Sequence, residues 1–408
     1  MKNNMRLYNL FPLLFGNIEN WIKYIPEIAN MGFTHIYINP FHYPGFSGSL
    51  YAPKDYYRLN PKFGDSIEEL KNFTNAAHKY NIKVIMDLVI NHTAKDSPLT
   101  VEHNDWYKKK ENGDIVSPGA WHNGEFIEWG DLATVDNDNS PSKEYLWKYW
   151  LDLLFFYLDF GFDGFRCDAA YQVSDKLWKY LILSVKEKYP EVIFMAETLG
   201  CKIEDVHKLQ QAGFDYSFSS ALWWDFKEDW FIKQYNETAD TVKYIAFPES
   251  HDTQRAFAVF NGNELFSRIY FTSLFTTGWM ITSGFEYGFT LKTDVVHTSP
   301  DDWEKIKYDF TEIIRRINEI KEHYEIFRTD VPVNWFRENE VSIIIKELNK
   351  ERACFIINTS DKKNYINLKK YLKNEFFYNI LNNKKEHIST CENLELESKG
   401  IVVLYEEV

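Results

Sequence analysis

Cysteine is scarce in this chain, long hydrophobic runs are missing and positive charge falls short of negative, and each shortage removes a class of function. Four cysteines, Cys167, Cys201, Cys354 and Cys391, are scattered through 408 residues. No two share a CxxC spacing, so neither a zinc site nor a disulfide framework is signalled, and buried free thiols are the expected state. Near the N-terminus the apolar stretch Phe11 to Phe15 stops at Gly16-Asn17. It is too short for the core of a secretion signal or for a membrane span, so a cytoplasmic protein without a membrane partner is expected. Lys and Arg number 46 against 60 Asp and Glu, a formal net charge of −14. That balance disfavours phosphate backbones and anionic lipid surfaces, so no nucleic-acid partner is expected, while a neutral ligand such as a sugar is compatible. No internal repeat or low-complexity tract is present, and nothing in the pattern speaks to oligomeric state.

What is abundant is apolar and aromatic side chain, 45% and 17% of residues, enough for a large core in one large domain plus a smaller one. Most of these rings pack in the core. Trp106, Trp121, Trp129, Trp223 and Trp224 form a pool in which at least one is expected to line a cleft and stack on a flat ligand face.

Over the first three quarters, short apolar runs alternate with amphipathic stretches. Phe33 to Ile38, Ile82 to Val89, Gly164 to Asp168, Val192 to Ala196, Phe214 to Phe218, Tyr244 to Phe247 and Trp279 to Thr282 read as strands. Ser66 to Tyr80, with Ser66 as N-cap, Lys143 to Phe160 and Asp175 to Tyr189 read as helices. Such alternation predicts a parallel sheet, and about eight units in about 325 residues suit a closed (β/α)8 TIM barrel with one insertion. Residues 1–91 and 144–330 are assigned to the barrel, and 92–143, a long polar segment, to an inserted cleft-forming subdomain. Residues 331–408, with strand-like Val341 to Ile345, Ala353 to Ile357 and Ile401 to Tyr405, are assigned to a C-terminal antiparallel β-domain.

In a parallel barrel the working residues sit at the C-terminal strand ends. Four strands end in ionisable groups: Asp87 with Asn91-His92, Arg166 with Asp168, Glu197, and Ser250-His251-Asp252. The chemistry they fit is glycosyl transfer with retention. It needs a carboxylate nucleophile and a carboxylic acid flanking one bond, about 5–5.5 Å apart. Arg166 and Asp168 alternate along one strand and share a face, which places a cation beside one carboxylate. A third carboxylate and histidines can hydrogen-bond sugar hydroxyls.

The segments Asp87 to His92, Gly164-Phe165-Arg166-Cys167-Asp168, Ala196-Glu197 and His251-Asp252 occur in the order and approximate spacing of the four main signature regions of the α-amylase family. The chain resembles that family from about residue 6 to 330 and on toward the C-terminus, with supporting matches at Tyr51, Asp55-Tyr56, Asn60 to Gly64 and Gly284 to Gly288. The resemblance implies Asp168 as nucleophile, Glu197 as general acid/base and Asp252 as the carboxylate that stabilises the transition state. It further implies that Arg166 orients Asp168, that His92 and His251 contact sugar hydroxyls, that Tyr51 stacks on the sugar, that Asp87 supports the site and that Arg255 pairs with a carboxylate there. The stretches Gly48 to Tyr57 and Asn91 to Leu99 are similar to a branch with intracellular maltosyltransferase-like proteins.

Many members of the family hold a structural calcium through the Asn of the first motif, an Asp of the insert and a His after the nucleophile. Here Asn91 is present, but Thr134 and Gln172 stand at the other two positions. Calcium favours six to eight oxygens, carboxylates among them, so no cofactor is expected and Asn91 is the one candidate calcium ligand retained. Ser250 stands where the family often has Asn, and Tyr171 where starch hydrolases often have Lys. The reading is therefore a retaining hydrolase of α-1,4-glucans or malto-oligosaccharides, with two alternatives. One is a maltosyl- or glucosyl-transferring enzyme using the same site, the other a catalytically inactive glucan-binding protein.

Overall fold

The computed structural model describes residues 4–122, 125–372, 376–382 and 387–407. Eight strands form a closed barrel in which each lies beside its neighbours in the chain. They are β1 (Arg6–Leu10), β2 (His35–Ile38), β3 (Lys83–Leu88), β4 (Gly164–Cys167), β5 (Ile193–Ala196), β6 (Tyr216–Phe218), β7 (Tyr244–Ala246) and β8 (Gly278–Thr282). The parallel (β/α)8 barrel expected from the alternation is thus the observed fold. Strands β2, β4 and β8 are buried at every residue, the signature of strands covered on both faces, which is why they read as continuous apolar runs. At Gly164 an added Cβ would lie 2.3 Å from the Ile193 carbonyl oxygen, so only glycine lets β4 start this close to β5.

Element ends match the sequence expectations or differ from them by up to three residues. The helix expected from Ser66 begins at Glu69, with Glu68 rather than Ser66 at its N-cap. The Glu69 carboxylate accepts hydrogen bonds from the backbone N–H groups of Asp65 (2.8 Å) and Ser66 (3.0 Å), and Ser66 Oγ accepts from Glu68 N at 3.3 Å, so the two side chains satisfy donors of the turn that precedes the helix. Strand β1 was not expected, because Arg6 and Asn9 break its apolar pattern. The polar segment after His92 contains two small antiparallel ladders, His92–Ala94 with Leu132–Thr134 and Gly119–His122 with Glu125–Glu128.

The chain forms two compact units. The first is Tyr8–Phe218 with Thr293–Lys305. It holds β2 to β6, the ladders after His92, and the helix Lys143–Asp159, which buries Leu146, Trp150, Leu153, Leu154 and Tyr157. The second is Met1–Leu7, Ser219–Lys292 and Ile306–Val408. It holds β7, β8 and an antiparallel sheet built from β9 (Val333–Glu338), β10 (Val341–Leu348), β11 (Glu351–Asn358), β12 (Phe376–Asn379), β13 (His387–Ser389) and β14 (Ile401–Glu407). The sheet order is β9-β10-β11-β14-β12-β13, the antiparallel C-terminal domain the sequence predicts. Its core includes Ile343, Cys354, Ile356, Phe377 and Leu404. All four cysteines are free, but only Cys167 and Cys354 are buried. Cys201 is partly exposed and Cys391 exposed, which corrects the expectation of four buried thiols. Among the described residues no helix is long and apolar enough to cross a membrane.

Candidate active site

The ends of β3, β4 and β5 are in register, and that register sets the distances among the ionisable side chains. Arg166 on β4 pairs with Asp87 on β3, and Cys167 with Ala196 on β5. Asp168 and Glu197 each follow one residue later, at equivalent positions just past two adjacent strand ends. Backbone bonds carry the ladder past these ends, from Asp168 N to Leu88 O (3.0 Å) and from Glu197 N to Cys167 O (3.1 Å). Neighbouring strands lie about 4.8 Å apart, so the two carboxylates start from the spacing that a retaining pair requires.

A buried network fixes the first of them. Arg166 Nη1 donates to Asp168 Oδ1 at 2.7 Å and to Asp87 Oδ1 at 2.9 Å. Asp87, 0% exposed, also accepts from Tyr37 (2.5 Å) and Tyr51 (2.6 Å) hydroxyls at Oδ2. Asn39 Nδ2 donates to both of those hydroxyls, at 3.1 and 3.0 Å, and Asn39 Oδ1 accepts from Asn9 at 2.7 Å. A continuous chain of bonds therefore runs from β1 to the Asp168 carboxylate. Burial works against the charge on Arg166, but Asp87, the two tyrosines and Asp168 outweigh it and hold the guanidinium above its ordinary pKa. One Asp168 oxygen is thus fixed, while Oδ2 accepts no hydrogen bond from the described residues and the side chain keeps 16% of its exposure.

Glu197 has a different environment. Its Oε1 accepts from Leu199 N at 2.7 Å and its Oε2 from Ala169 N at 3.0 Å. Ala169, the residue after Asp168, has φ +39°, a left-handed conformation that a residue with a Cβ adopts only when its surroundings impose it. That strain aims its N–H at Glu197. Burial raises the Glu197 carboxyl pKa and Arg166 opposes the rise. The Asp168 charge adds to it, and the net direction is up. A carboxyl that keeps its proton longer than usual beside one that does not share its burial is the division of labour of an acid and a nucleophile.

Other expected residues fall into clear places. His92 is buried, and its Nε2 bonds the Tyr51 carbonyl oxygen at 2.8 Å, so it positions Tyr51. Burial lowers its pKa, against the pull of Asp168. In the second unit, after β7, the His251 Nε2 lies 3.0 Å from Asp252 Oδ2, and the Asp252 side chain is 64% exposed. Arg255 pairs with a carboxylate, that of Glu249. It is 1% exposed, ion-paired with Glu249, and donates to the Ser283 (2.6 Å) and Leu291 (3.1 Å) carbonyl oxygens. Its guanidinium fastens the loop after β7 to the loop after β8. Sequence reasoning missed Tyr37, Asn39, Asn9 and Glu249. The available signal was a polar residue inside an otherwise apolar strand, or at its end. Of the tryptophans, Trp106 stacks on His103 and is buried, as is Trp224. Trp129 and Trp223 are exposed, and the Trp121 side chain lies outside the described residues.

The arrangement of strand-end carboxylates agrees with the comparison of the whole sequence against known families: the family described as alpha amylase, catalytic domain, matches residues 13–396. The chain belongs to the α-amylase family. Among curated α-amylase-family relatives, an alpha-1,4-glucan:maltose-1-phosphate maltosyltransferase of Picrophilus torridus is 23% identical over 88% of this chain and 60% of its own length. One of Burkholderia pseudomallei is 25% identical over 69% of this chain but only 25% of its own length. A cyclomaltodextrinase of Geobacillus thermopakistaniensis is 24% identical over 91% of this chain and 66% of its own. The chain thus spans between a quarter and two thirds of the length of these relatives. Among solved structures, an alpha-amylase from Lactobacillus plantarum matches with a TM-score of 0.81 at 22% identity, covering 99% of both chains. That likeness shows the fold.

The calcium common in the α-amylase family can be tested against the donors present. Asn91 Oδ1 and Thr134 Oγ1 are buried and accept or donate no hydrogen bond. Asn91 Nδ2 donates to Gln172 Oε1 at 3.4 Å. The set is three neutral groups without a carboxylate, and among the described residues no cluster of three metal-ligating side chains occurs. These residues do not fit a calcium ion. The link between the segment after His92 and the barrel is made by protein bonds instead. Val135 N donates to Asn91 O (3.1 Å), and Asn137 Nδ2 donates to Ile90 O (2.9 Å) while its own oxygens accept from Trp147 and Trp150.

Proposed function

We propose that this protein is a retaining α-glycosidase acting on α-1,4-glucans or malto-oligosaccharides through a covalent glycosyl-enzyme intermediate. The observation that carries the reading is the Asp168–Glu197 pair at equivalent ends of adjacent strands. One has an open oxygen beside a permanently charged guanidinium, and the other has its pKa pushed up by burial. Asp168 Oδ2 attacks the anomeric carbon as the glycosidic C–O bond breaks, and Glu197 gives its proton to the departing sugar oxygen. Glu197 then takes a proton from water, whose oxygen displaces Asp168. Two inversions return the α configuration. Asp252 is the third carboxylate, bonding sugar hydroxyls and favouring a distorted ring. His251 contacts hydroxyls, and Tyr51 lies under the sugar at the scissile bond. His92 and Asp87 keep Tyr51 and Arg166 in place.

A second reading is favoured by the maltosyltransferases among the relatives. If a sugar hydroxyl replaces water at the intermediate, the same residues transfer a glucosyl or maltosyl unit. A cytoplasmic setting belongs to the proposal, supported by four unpaired thiols, which suit a reducing compartment. No cofactor takes part in it.

The test is the initial product of maltoheptaose cleavage, followed by NMR of the new reducing end. The α anomer is expected, and a β anomer overturns the mechanism. Products longer than the substrate, or chain growth from maltose-1-phosphate, assign transfer rather than hydrolysis.

A further inference from the structure

Glu197 is held by main chain on every side. Its N donates to Cys167 O at 3.1 Å, and its own carbonyl oxygen accepts from Ala170 N at 3.2 Å. Its carboxylate accepts from Leu199 N at Oε1 (2.7 Å) and from Ala169 N at Oε2 (3.0 Å). Among the described residues no side chain hydrogen-bonds that carboxylate. Ala169 and Ala170 are successive residues, yet their N–H groups end on two oxygens of the same glutamate. Ala169 allows this with φ +39° and ψ +49°, a left-handed turn of the kind in which consecutive N–H groups point to one side. A residue with a Cβ stays there only where its surroundings hold it. Glu197 holds it on one side. On the other, the Ala170 carbonyl oxygen accepts at 2.9 Å from Nε1 of Trp178, which is 0% exposed.

The two carboxyl oxygens are therefore not equivalent. Oε1 is tied within its own loop, whereas Oε2 meets the peptide that joins Asp168 to Ala169. The charged or titratable groups that face Glu197 are Arg166 and Asp168 from the end of β4, Tyr171 from the turn beyond it, and Cys201 from the loop after β5. None of these side chains bonds the carboxylate. We infer that the Ala169 N–H is a positioning group for the acid/base step: it fixes Oε2 as the oxygen that carries the proton and stabilises the negative charge left there when the proton departs. The inference rests on the α-glucan reading above and adds the atom through which Glu197 works. In the first half-reaction the proton passes from Oε2 to the departing sugar oxygen, which keeps the electron pair of the broken C–O bond, while Asp168 Oδ2 bonds the anomeric carbon. At that moment the N–H···O contact turns from a neutral into a charge-assisted bond, and such bonds are about twice as strong. A donor fixed in advance where charge develops needs no reorganisation. In the second half-reaction Oε2 takes its proton back from water.

The test removes the N–H and keeps the side chain. Replacing Ala169 by its α-hydroxy acid, through nonsense suppression, puts an ester in place of that peptide. A bond to the ionised form lowers the pKa of a carboxyl, so its loss raises that of Glu197. The basic limb of the kcat/KM–pH profile on maltoheptaose should move up by about one pH unit. Ala169→Gly keeps the N–H and should keep the position of the limb, whatever its rate. An ester protein whose limb stays at the wild-type pH, with its rate intact or reduced, overturns the inference. A second measurement reads the wild type itself. In protein labelled with 15N-alanine, the Ala169 amide resonance, identified by its loss in Ala169→Gly, should shift with pH along the same limb and stop shifting in Glu197→Gln. A resonance that does not titrate overturns the inference even if the ester protein fails to fold. Wild-type protein that cleaves no α-glucan overturns the α-glucan reading instead, and the amide titration, which needs no substrate, tells the two failures apart.

Discussion

Two arginine–carboxylate clusters sit behind strand ends of this barrel, and they differ in how completely their oxygens are used. In the first unit Arg166 joins Asp87 to Asp168, and Asp168 Oδ2 has no donor among the described residues. In the second unit Arg255 joins Glu249, whose Oε1 accepts from the guanidinium and whose Oε2 accepts from Ala256 N at 2.7 Å. Glu249 is 0% exposed. Burial raises the pKa of Glu249, as it does that of Glu197, with Arg255 opposing. A shifted carboxylate is therefore no mark of catalysis by itself. Exposure tells the two clusters apart: Glu249 is fully buried with both oxygens bonded, whereas Asp168 keeps part of its side chain exposed and one oxygen open among the described residues.

The comparison breaks or holds on a pair of amide substitutions. In Asp168→Asn the amide oxygen can still accept from Arg166, and its NH2 group replaces the oxygen that had no partner. Folding should survive while the nucleophile is lost, with kcat on maltoheptaose down on the order of 10³-fold or more. In Glu249→Gln one of two accepting oxygens becomes a donor facing a donor, and Arg255 keeps a buried charge without its counter-ion. Stability should fall by about 3 kcal/mol, read from denaturant midpoints, while the folded fraction retains its rate. A Glu249→Gln protein as stable as wild type would remove the distinction.

Much of this was legible in the sequence because it depended on strand ends. Asp168 and Glu197 announce themselves as acids closing apolar runs and Asp252 as an acid shortly after one, and the parallel neighbourhood of β3, β4 and β5 follows from the alternation, while their register comes from the structure. The supporting groups were hidden. Tyr37 and Asn9 sit inside strands, where an aromatic or amide reads as core packing, and only coordinates reveal a hydroxyl aimed at Asp87. Arg255 shows a partner that the motif does not contain. A cation three residues after Asp252 looks like part of the site, but its true partner, Glu249, lies on the other side of the motif, and both face inward. Trp223 and Trp224 were indistinguishable in sequence because the rings that cover Trp224, those of Phe231, Phe271 and Phe275, come from later in the chain, while Trp223 is left exposed.

A buried group with no partner at all extends the comparison. His42 is 1% exposed, packed against Phe41, Tyr56 and Tyr157, and neither ring nitrogen makes a hydrogen bond. Burial pushes its pKa from 6.5 down to about 3. The fold binds this proton less well than the unfolded chain does. The stability His42 permits is therefore full above pH 6.5 and is lost as pH falls from 6.5 toward 3. The loss is about 1.4 kcal/mol per pH unit from this ring alone. His42→Leu should flatten the acid side of the Tm–pH curve in that window. If the variant keeps the wild-type slope, other groups govern acid unfolding.

The smallest effect expected concerns Asn91, Thr134 and Gln172, where two buried oxygens, Asn91 Oδ1 and Thr134 Oγ1, are unpartnered but neutral. Here the lack of saturation does not create a cation site, because two neutral oxygens repay little of the dehydration of a divalent ion. The bonds through Asn137 and Val135 already attach the segment after His92 to the end of β3. Excess calcium or EDTA should therefore move the wild-type Tm by less than about 1 °C. The variant Thr134→Asp with Gln172→His supplies the charge and the ligand that are missing, and its Tm should rise with added calcium and fall back with EDTA. Calcium-dependent stabilisation of the wild type would mean that neutral oxygens suffice there.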